Sequence, residues 1–320
     1  MSRDDDYLWD RSGTPDPEVE RLEKLLSPYA YREEEAGDAN PGSGPPSVWR
    51  RRVPTWAAAA AILLVIAGGI SAIGPRRLLH FAFGESGWQV TWMAGGGDDR
   101  LRVGEWLETP DGAEVRVAVA GIGRVDVSGN SRIRLKTTGI NEHRMELARG
   151  KIDAFITAPP RLFFVETPAA TAVDLGCAYS LEVDDEGEGE LIVELGSVAL
   201  EEGNFSTYVP AGAICRIRAD GGPGIPWFED ADAAIAESVE RLEQSPEDVD
   251  ALESLLGAAS REDTLSLFHL LPRLDRSARE RVVTHVIESV PLPHGVTREQ
   301  VLALERDALE AWKRLLRSVW

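Results

Sequence analysis

The sequence predicts an α+β membrane protein: a single transmembrane helix, a β-rich domain and a C-terminal stack of helical hairpins. Three observations carry this reading. Residues 56–73 form an uncharged apolar run, residues 88–218 alternate apolar and polar side chains between glycines, and the period turns helical after residue 227. The 320 residues suffice for two folded units with additional segments, at roughly 100–200 residues per domain. Hydrophobic content of 43% supplies material for cores. With 34 Lys and Arg against 54 Asp and Glu, the net charge is −20. That balance excludes nucleic acid as a partner, because phosphate contacts need clustered cations.

Residues 1–32 are read as an acidic tail carrying one short amphipathic helix. Tyr7-Leu8-Trp9 is an apolar cluster, and Thr14-Pro15-Asp16-Pro17 opens the helix, where proline's missing donor costs nothing. Val19, Leu22, Leu25 and Leu26 then form an apolar stripe on a charged rod that Pro28 ends. So short a helix is marginal alone, and its stripe needs a covering partner or membrane surface. Residues 33–52 begin acidic and rich in Pro, Gly and Ser, a composition that cannot bury enough surface to order itself.

Residues 53–75 are predicted to cross a membrane. No charged side chain interrupts them, and the eighteen residues Trp56–Ile73 would rise about 27 Å as a helix, close to the roughly 30 Å hydrocarbon core. Trp56 suits the headgroup level, and Arg50-Arg51-Arg52 and Arg76-Arg77 act as stops. A cleaved signal would begin within the first few residues rather than after fifty. Three arginines before the run against two after it place the N-terminus in the cytoplasm and the rest outside.

Across residues 88–218 the inward sets are predicted as Val115, Val117, Val119; Val125, Val127; Ile133, Leu135; Met145, Leu147; Ile152, Ala154, Ile156; Leu181, Val183; Leu191, Val193, Leu195; and Val198, Leu200. Glycines, Gly150 and Gly196 among them, mark the breaks. Many short strands at this spacing fit a sandwich, barrel or solenoid, and the pattern does not choose among them. Gly121-Ile122-Gly123 lacks the third glycine and the following helix of a dinucleotide fingerprint.

A Gly/Pro joint at 219–226 leads to the predicted helical domain, residues 227–320. Ile235, Val239 and Leu242 share one face. Val249, Leu252, Leu255 and Leu256 turn inward on the second helix, Leu267, Phe268 and Leu271 on the third, and Val282, Val286 and Val290 on the fourth. Thr297 with Gln300 forms a capping box for a last helix carrying Leu304, Ala308, Trp312, Leu315 and Val319.

The sequence offers little chemistry. The five histidines show no metal-binding spacing and no serine-nucleophile motif occurs, so neither catalytic residues, metal nor cofactor is expected. Asp184, Asp185, Glu186, Glu188 and Glu190 lack the ligand spacing of a calcium loop and read as a solvated hairpin tip. Cys177 and Cys215 both fall in the part placed outside the cytoplasm, where disulfides persist. Each lies in an apolar strand context, and they are either bridged or two buried thiols.

From about residue 101 to 201 the chain resembles the FecR domain, the extracytoplasmic module of membrane-bound anti-sigma regulators of bacteria. The resemblance rests on Val103-Gly104-Glu105-Trp106-Leu107-Glu108-Thr109, Ser128-Gly129-Asn130-Ser131, Leu147-Ala148-Arg149-Gly150-Lys151-Ile152 and Phe164-Val165-Glu166-Thr167-Pro168. It is completed by Val173-Asp174-Leu175-Gly176-Cys177-Ala178-Tyr179 and Val193-Glu194-Leu195-Gly196-Ser197-Val198, with Cys177 where the family usually has Thr. The resemblance implies an inner-membrane protein with a periplasmic C-terminal part and an extracytoplasmic-function sigma factor as partner. Trp9, Val19, Leu22, Leu25 and Leu26 are then the expected contact residues. The alternative is an envelope-binding or scaffolding protein with no sigma partner.

Overall fold

The structure is a computed structural model and describes residues 87–320 other than 96 and 204. The tail, the linker and the expected span at 53–75 lie outside the described residues. Among those described, no helix is long and apolar enough to cross a membrane. They belong to one compact unit, with strands from Gly87 to Phe228 followed by helices.

The strands form two leaves that share one strand. The first leaf runs in the order β2 (Asp98–Arg102), β1 (Gly87–Trp92), β4 (Val115–Val119), β5 (Gly123–Val127), β7 (His143–Ile156), β10 (Ala178–Val183), β11 (Gly189–Leu195) and β14 (Ala213–Arg218). The short β15 (Gly222–Pro223) and β16 (Trp227–Phe228) pair with β14. The second leaf runs β3 (Trp106–Glu108), β6 (Arg132–Thr138), β7 again, β8 (Phe163–Glu166), β9 (Thr171–Asp174), β12 (Ser197–Glu202) and β13 (Phe205–Pro210). Among the described strands, only β7 with β8 is parallel. The inward side chains of both leaves merge into one core, from Trp88 and Val90 through Leu135, Met145, Leu181 and Leu200 to Ile217.

Gly150, read from the sequence as a break, instead lies inside the fourteen-residue β7. Residues 143–149 of β7 pair with β6, and residues 152–156 pair with β5. Inward parity changes between them, from Met145 and Leu147 to Ile152, Ala154 and Ile156. Gly150 makes the change with φ +94°, a conformation that costs a side-chain-bearing residue. A Cβ there would lie 2.2 Å from Ser131 Oγ and 2.4 Å from Ser131 Cα. The buried Ser131 Oγ accepts the Lys151 N–H at 2.9 Å, and the Ser131 N–H donates to Thr109 Oγ1 at 2.9 Å. Leu195 departs from its expected inward position and is 62% exposed, because the register shifts between Ala178 and Tyr179 and places Leu195 opposite Ala178.

The helices are α1 (Ala233–Gln244), α2 (Val249–Ala258), α3 (Thr264–Leu270) with a 3-10 turn at Leu271–Arg273, α4 (Arg276–Ser289), α5 (Arg298–Leu302) and α6 (Arg306–Leu316). Asp232, Asp248 and Asp275 cap the free amides of α1, α2 and α4, and the Thr297–Gln300 capping box forms on α5. Val249 is 60% exposed rather than inward, since it opens α2 outside the packed turn. The expected last helix is two. Leu304 adopts φ +57° between α5 and α6, and Arg279 takes the Leu302 carbonyl at 2.8 Å together with those of Leu271 and Leu274. One guanidinium thereby satisfies carbonyls left free near two helix ends.

The helical core is separate from that of the strands but interlocks with it. Leu265 of α3 is buried in the strand core, Ile214 of β14 packs on the helical core, and Trp320 touches both. Replacing Gly150 with Ala should destabilise this unit by about 2–4 kcal/mol in urea unfolding, from positive φ plus backbone crowding. Gly139→Ala is the control, since a Cβ there meets only an ordinary contact at 3.9 Å and φ lies outside the left-handed region.

Candidate functional site

The contact residues expected in the tail, Trp9, Val19, Leu22, Leu25 and Leu26, lie outside the described residues. Cys177 and Cys215 are both buried, free thiols, so the disulfide reading is corrected. The register explains it. Cys215 stands opposite Leu191, which stands opposite Leu181, four residues beyond Cys177. Two strand spacings across and four residues along separate the pair by roughly 16 Å, far outside bridging range.

Each thiol has its own surroundings. Cys177 Sγ donates to Asp174 Oδ2 at 2.7 Å, while Asp174 Oδ1 accepts the Gly176 N–H at 2.7 Å. Burial pushes the Asp174 carboxyl up, and burial together with the Asp174 charge pushes the Cys177 thiol up. Cys177 is therefore a protonated donor with little nucleophilic character. Burial likewise raises the Cys215 thiol, which donates weakly to the Arg216 carbonyl at 3.5 Å.

The outward face of the second leaf carries a charge ladder. The Trp106 ring has the guanidinium of Arg132 at 4.1 Å and that of Arg134 at 4.6 Å. Arg132 pairs with Glu108 at 3.0 Å, Arg134 with Glu146, Lys136 with Glu166, and Arg144 with Glu166 at 2.9 Å while lying over Phe164. Burial pushes the Glu166 carboxyl up, but hydrogen bonds from Lys136 and Arg144 outweigh it and hold the group below its ordinary value. Arg144 also pairs with Glu142 at 2.6 Å, so four cations meet four carboxylates and the face carries no net charge to attract an ionic ligand.

Open clefts among the described residues include two of similar size. One of about 430 Å³ lies between the starts of α2 and α4, lined by Asp248, Val249, Leu252, Asp275 and Arg281. The other, of about 400 Å³, lies beside the β10–β11 hairpin and is lined by Glu182, Glu188, Glu190, Arg216 and Arg218. The acidic tip closes on itself, with Asp184 Oδ1 accepting the N–H groups of Glu186 and Glu188. No metal-ligating cluster of three or more His, Cys, Asp or Glu occurs among the described residues.

Residues 105–199 match the family described as FecR protein. The match runs from the approach to β3 into β12 and includes the bend at Gly150, less than a third of the chain. The resemblance read from residues 101–201 is thus shown over residues 105–199. No curated protein matches the chain. Two crystal structures of a candidate anti-sigma factor from Parabacteroides distasonis, at 1.65 and 2.50 Å resolution, are similar at 15% identity and a TM-score of 0.35 each. They align with 42% and 47% of this chain and with 63% and 74% of theirs, so the chain spans under two thirds of the first.

Many residues that carry the FecR likeness are backbone nodes. Thr109 and Ser131 tie the bend, Asn130 turns at φ +59°, and a Cβ on Gly196 would meet the Gly176 carbonyl at 2.1 Å. Cys177 takes the role a hydroxyl donor would fill at the same position. Cys177→Val should therefore destabilise the unit by about 1–3 kcal/mol, by leaving Oδ2 of the buried Asp174 without its donor. Cys177→Thr, which keeps a donor, should cost less than Cys177→Val in the same urea titration. Equal losses would remove the hydrogen bond from the account.

Proposed function

We propose that the chain is a single-pass regulator of the FecR type that passes a signal from the cell envelope to an extracytoplasmic-function sigma factor. It is non-enzymatic, sits in the bacterial inner membrane with its N-terminus in the cytoplasm, and exposes residues 87–320 to the periplasm. The observation that carries this reading is the order of segments in one chain. An acidic tail with an apolar stripe precedes an uncharged run of membrane-spanning length, which precedes the segment matching the FecR family. An external domain can influence transcription only through a physical path inward, and one covalently continuous helix supplies it.

In this reading Val19, Leu22, Leu25 and Leu26, with Trp9, form the face that holds the sigma factor, and the neighbouring carboxylates favour a basic partner surface. Leu22→Asp with Leu26→Asp should abolish capture of a sigma factor by the tagged full-length protein in membranes, while flotation with lipid stays unchanged. Undiminished capture would eliminate that face. A full-length chain that fails to float would eliminate the membrane span instead.

A further inference from the structure

The outer edge of β13 is closed by the helical segment at one titratable point. β13 pairs with β12 on one side. On the other, the Tyr208 N–H donates to Nε2 of His269, on α3, at 3.4 Å. That nitrogen can accept only while unprotonated, so the imidazole is neutral with its proton on Nδ1. Around it stands an aromatic group. The Trp320 ring lies 6.0 Å from His269, 6.0 Å from Tyr208 and 5.7 Å from Phe268, and its indole N–H donates to Thr264 Oγ1 at 3.0 Å. Arg317 lies 4.0 Å from the centre of the Tyr208 ring and Lys313 5.8 Å from it.

We propose that this joint is an acid-released clamp, in which protonation of His269 removes the acceptor of the Tyr208 amide and frees the edge of β13 from α3 at that point. A proton on Nε2 would set two donors face to face. It would also add a positive charge beside Lys313 and Arg317 of α6 and Arg273 of the 3-10 turn, all of which act on His269. The carboxylates near this group, Glu310 of α6 and Glu201 of β12, act on the buried Lys313. Burial, reinforced by the three cations, holds the His269 imidazole well below its ordinary value.

The sign follows. An opened joint returns His269 to water, where it takes up a proton near its ordinary value of about 6.5. The open form binds more protons, so the closed form loses ground as pH falls below about 6.5, roughly tenfold per unit until the closed-state imidazole itself titrates. The device lies wholly within residues 87–320 and does not depend on the sigma-factor reading.

Hydrogen exchange of the Tyr208 amide in the full chain tests it, at pH 7.5 and 4.5, with rates corrected for intrinsic exchange. Wild-type protection should fall by up to about 100-fold relative to His269→Gln, whose side-chain oxygen accepts the same N–H without titrating. The Leu181 amide, in a strand paired on both sides, should keep its protection. An equal fall in both proteins, no fall in wild type, or simultaneous loss at Leu181 would overturn the clamp. Should His269→Gln not fold, an NMR titration of the wild-type imidazole decides. A His269 midpoint at or above 6.5 would overturn the proposal, and one well below it, with Tyr208 protection falling from 6.5 downward, would support it.

Discussion

A strand that serves two facing leaves must turn its inward side chains through half a period where it passes from one to the other, or one of its halves would expose its apolar set. β7 meets this constraint at Arg149–Lys151, where inward residues change from odd to even numbers around a glycine at φ +94°. The positive φ is possible because Gly150 has no Cβ, and the vacated space is filled by Ser131. Ser131 in turn is placed by Thr109, whose hydroxyl donates to the Ser128 carbonyl at 2.6 Å and accepts the Ser131 N–H. With the Lys151 N–H on Ser131 Oγ, these three polar contacts hold the bend, and the bend sets which residues downstream in β7 face inward.

Sheet edges impose the second constraint, since unpaired strand backbone invites further pairing. At one side of the sandwich the edges are blunted locally. β3 is three residues long, and β2 carries Asp98, Asp99, Arg100 and Arg102 in five positions. At the other side β13 and β14 meet helices. His269 takes an edge amide of β13, while Glu240 of α1 pairs with Arg216 of β14 at 2.9 Å. Glu243, also of α1, accepts the Ile225 N–H beyond β15. The helical segment is therefore an edge cover as well as a bundle, and Leu265, Ile214 and Trp320 interlock the two cores.

Period-two alternation made the inward sets of the strands legible, because a leaf buried on one side leaves an unambiguous stripe. It failed at Leu195, where a register shift turns one residue outward without altering local composition. Gly150 looked like a turn because glycine marks turns and bends alike, yet the change from odd to even inward residues was itself the signal of a continuous bent strand. Among the helix starts, that of α5 was legible from the Thr297–Gln300 capping box. The break at Leu304 was not, since no Gly or Pro marks it and Arg279, twenty-five positions earlier, stabilises it from another helix. The disulfide was open because two cysteines in strands carry no information on which strands lie between them. The contact of His269 with β13 depends on a separation of 61 residues that no local pattern encodes.

The FecR likeness is concentrated where the backbone is most constrained: at Thr109, Ser131, Gly150, Gly176 and Gly196. These positions demand a residue type for steric or hydrogen-bonding reasons that hold whatever the domain binds. A likeness built on them transmits the arrangement of strands and leaves the ligand free to vary. The Cys177–Asp174 pair illustrates the point, because a thiol with a raised pKa fills a donor position without bringing thiol chemistry. Functional individuality must then come from elements outside the shared nodes. In this chain the largest of these within the described residues is the helical cover, which contributes the titratable group at the β13 edge and all the cations surrounding it.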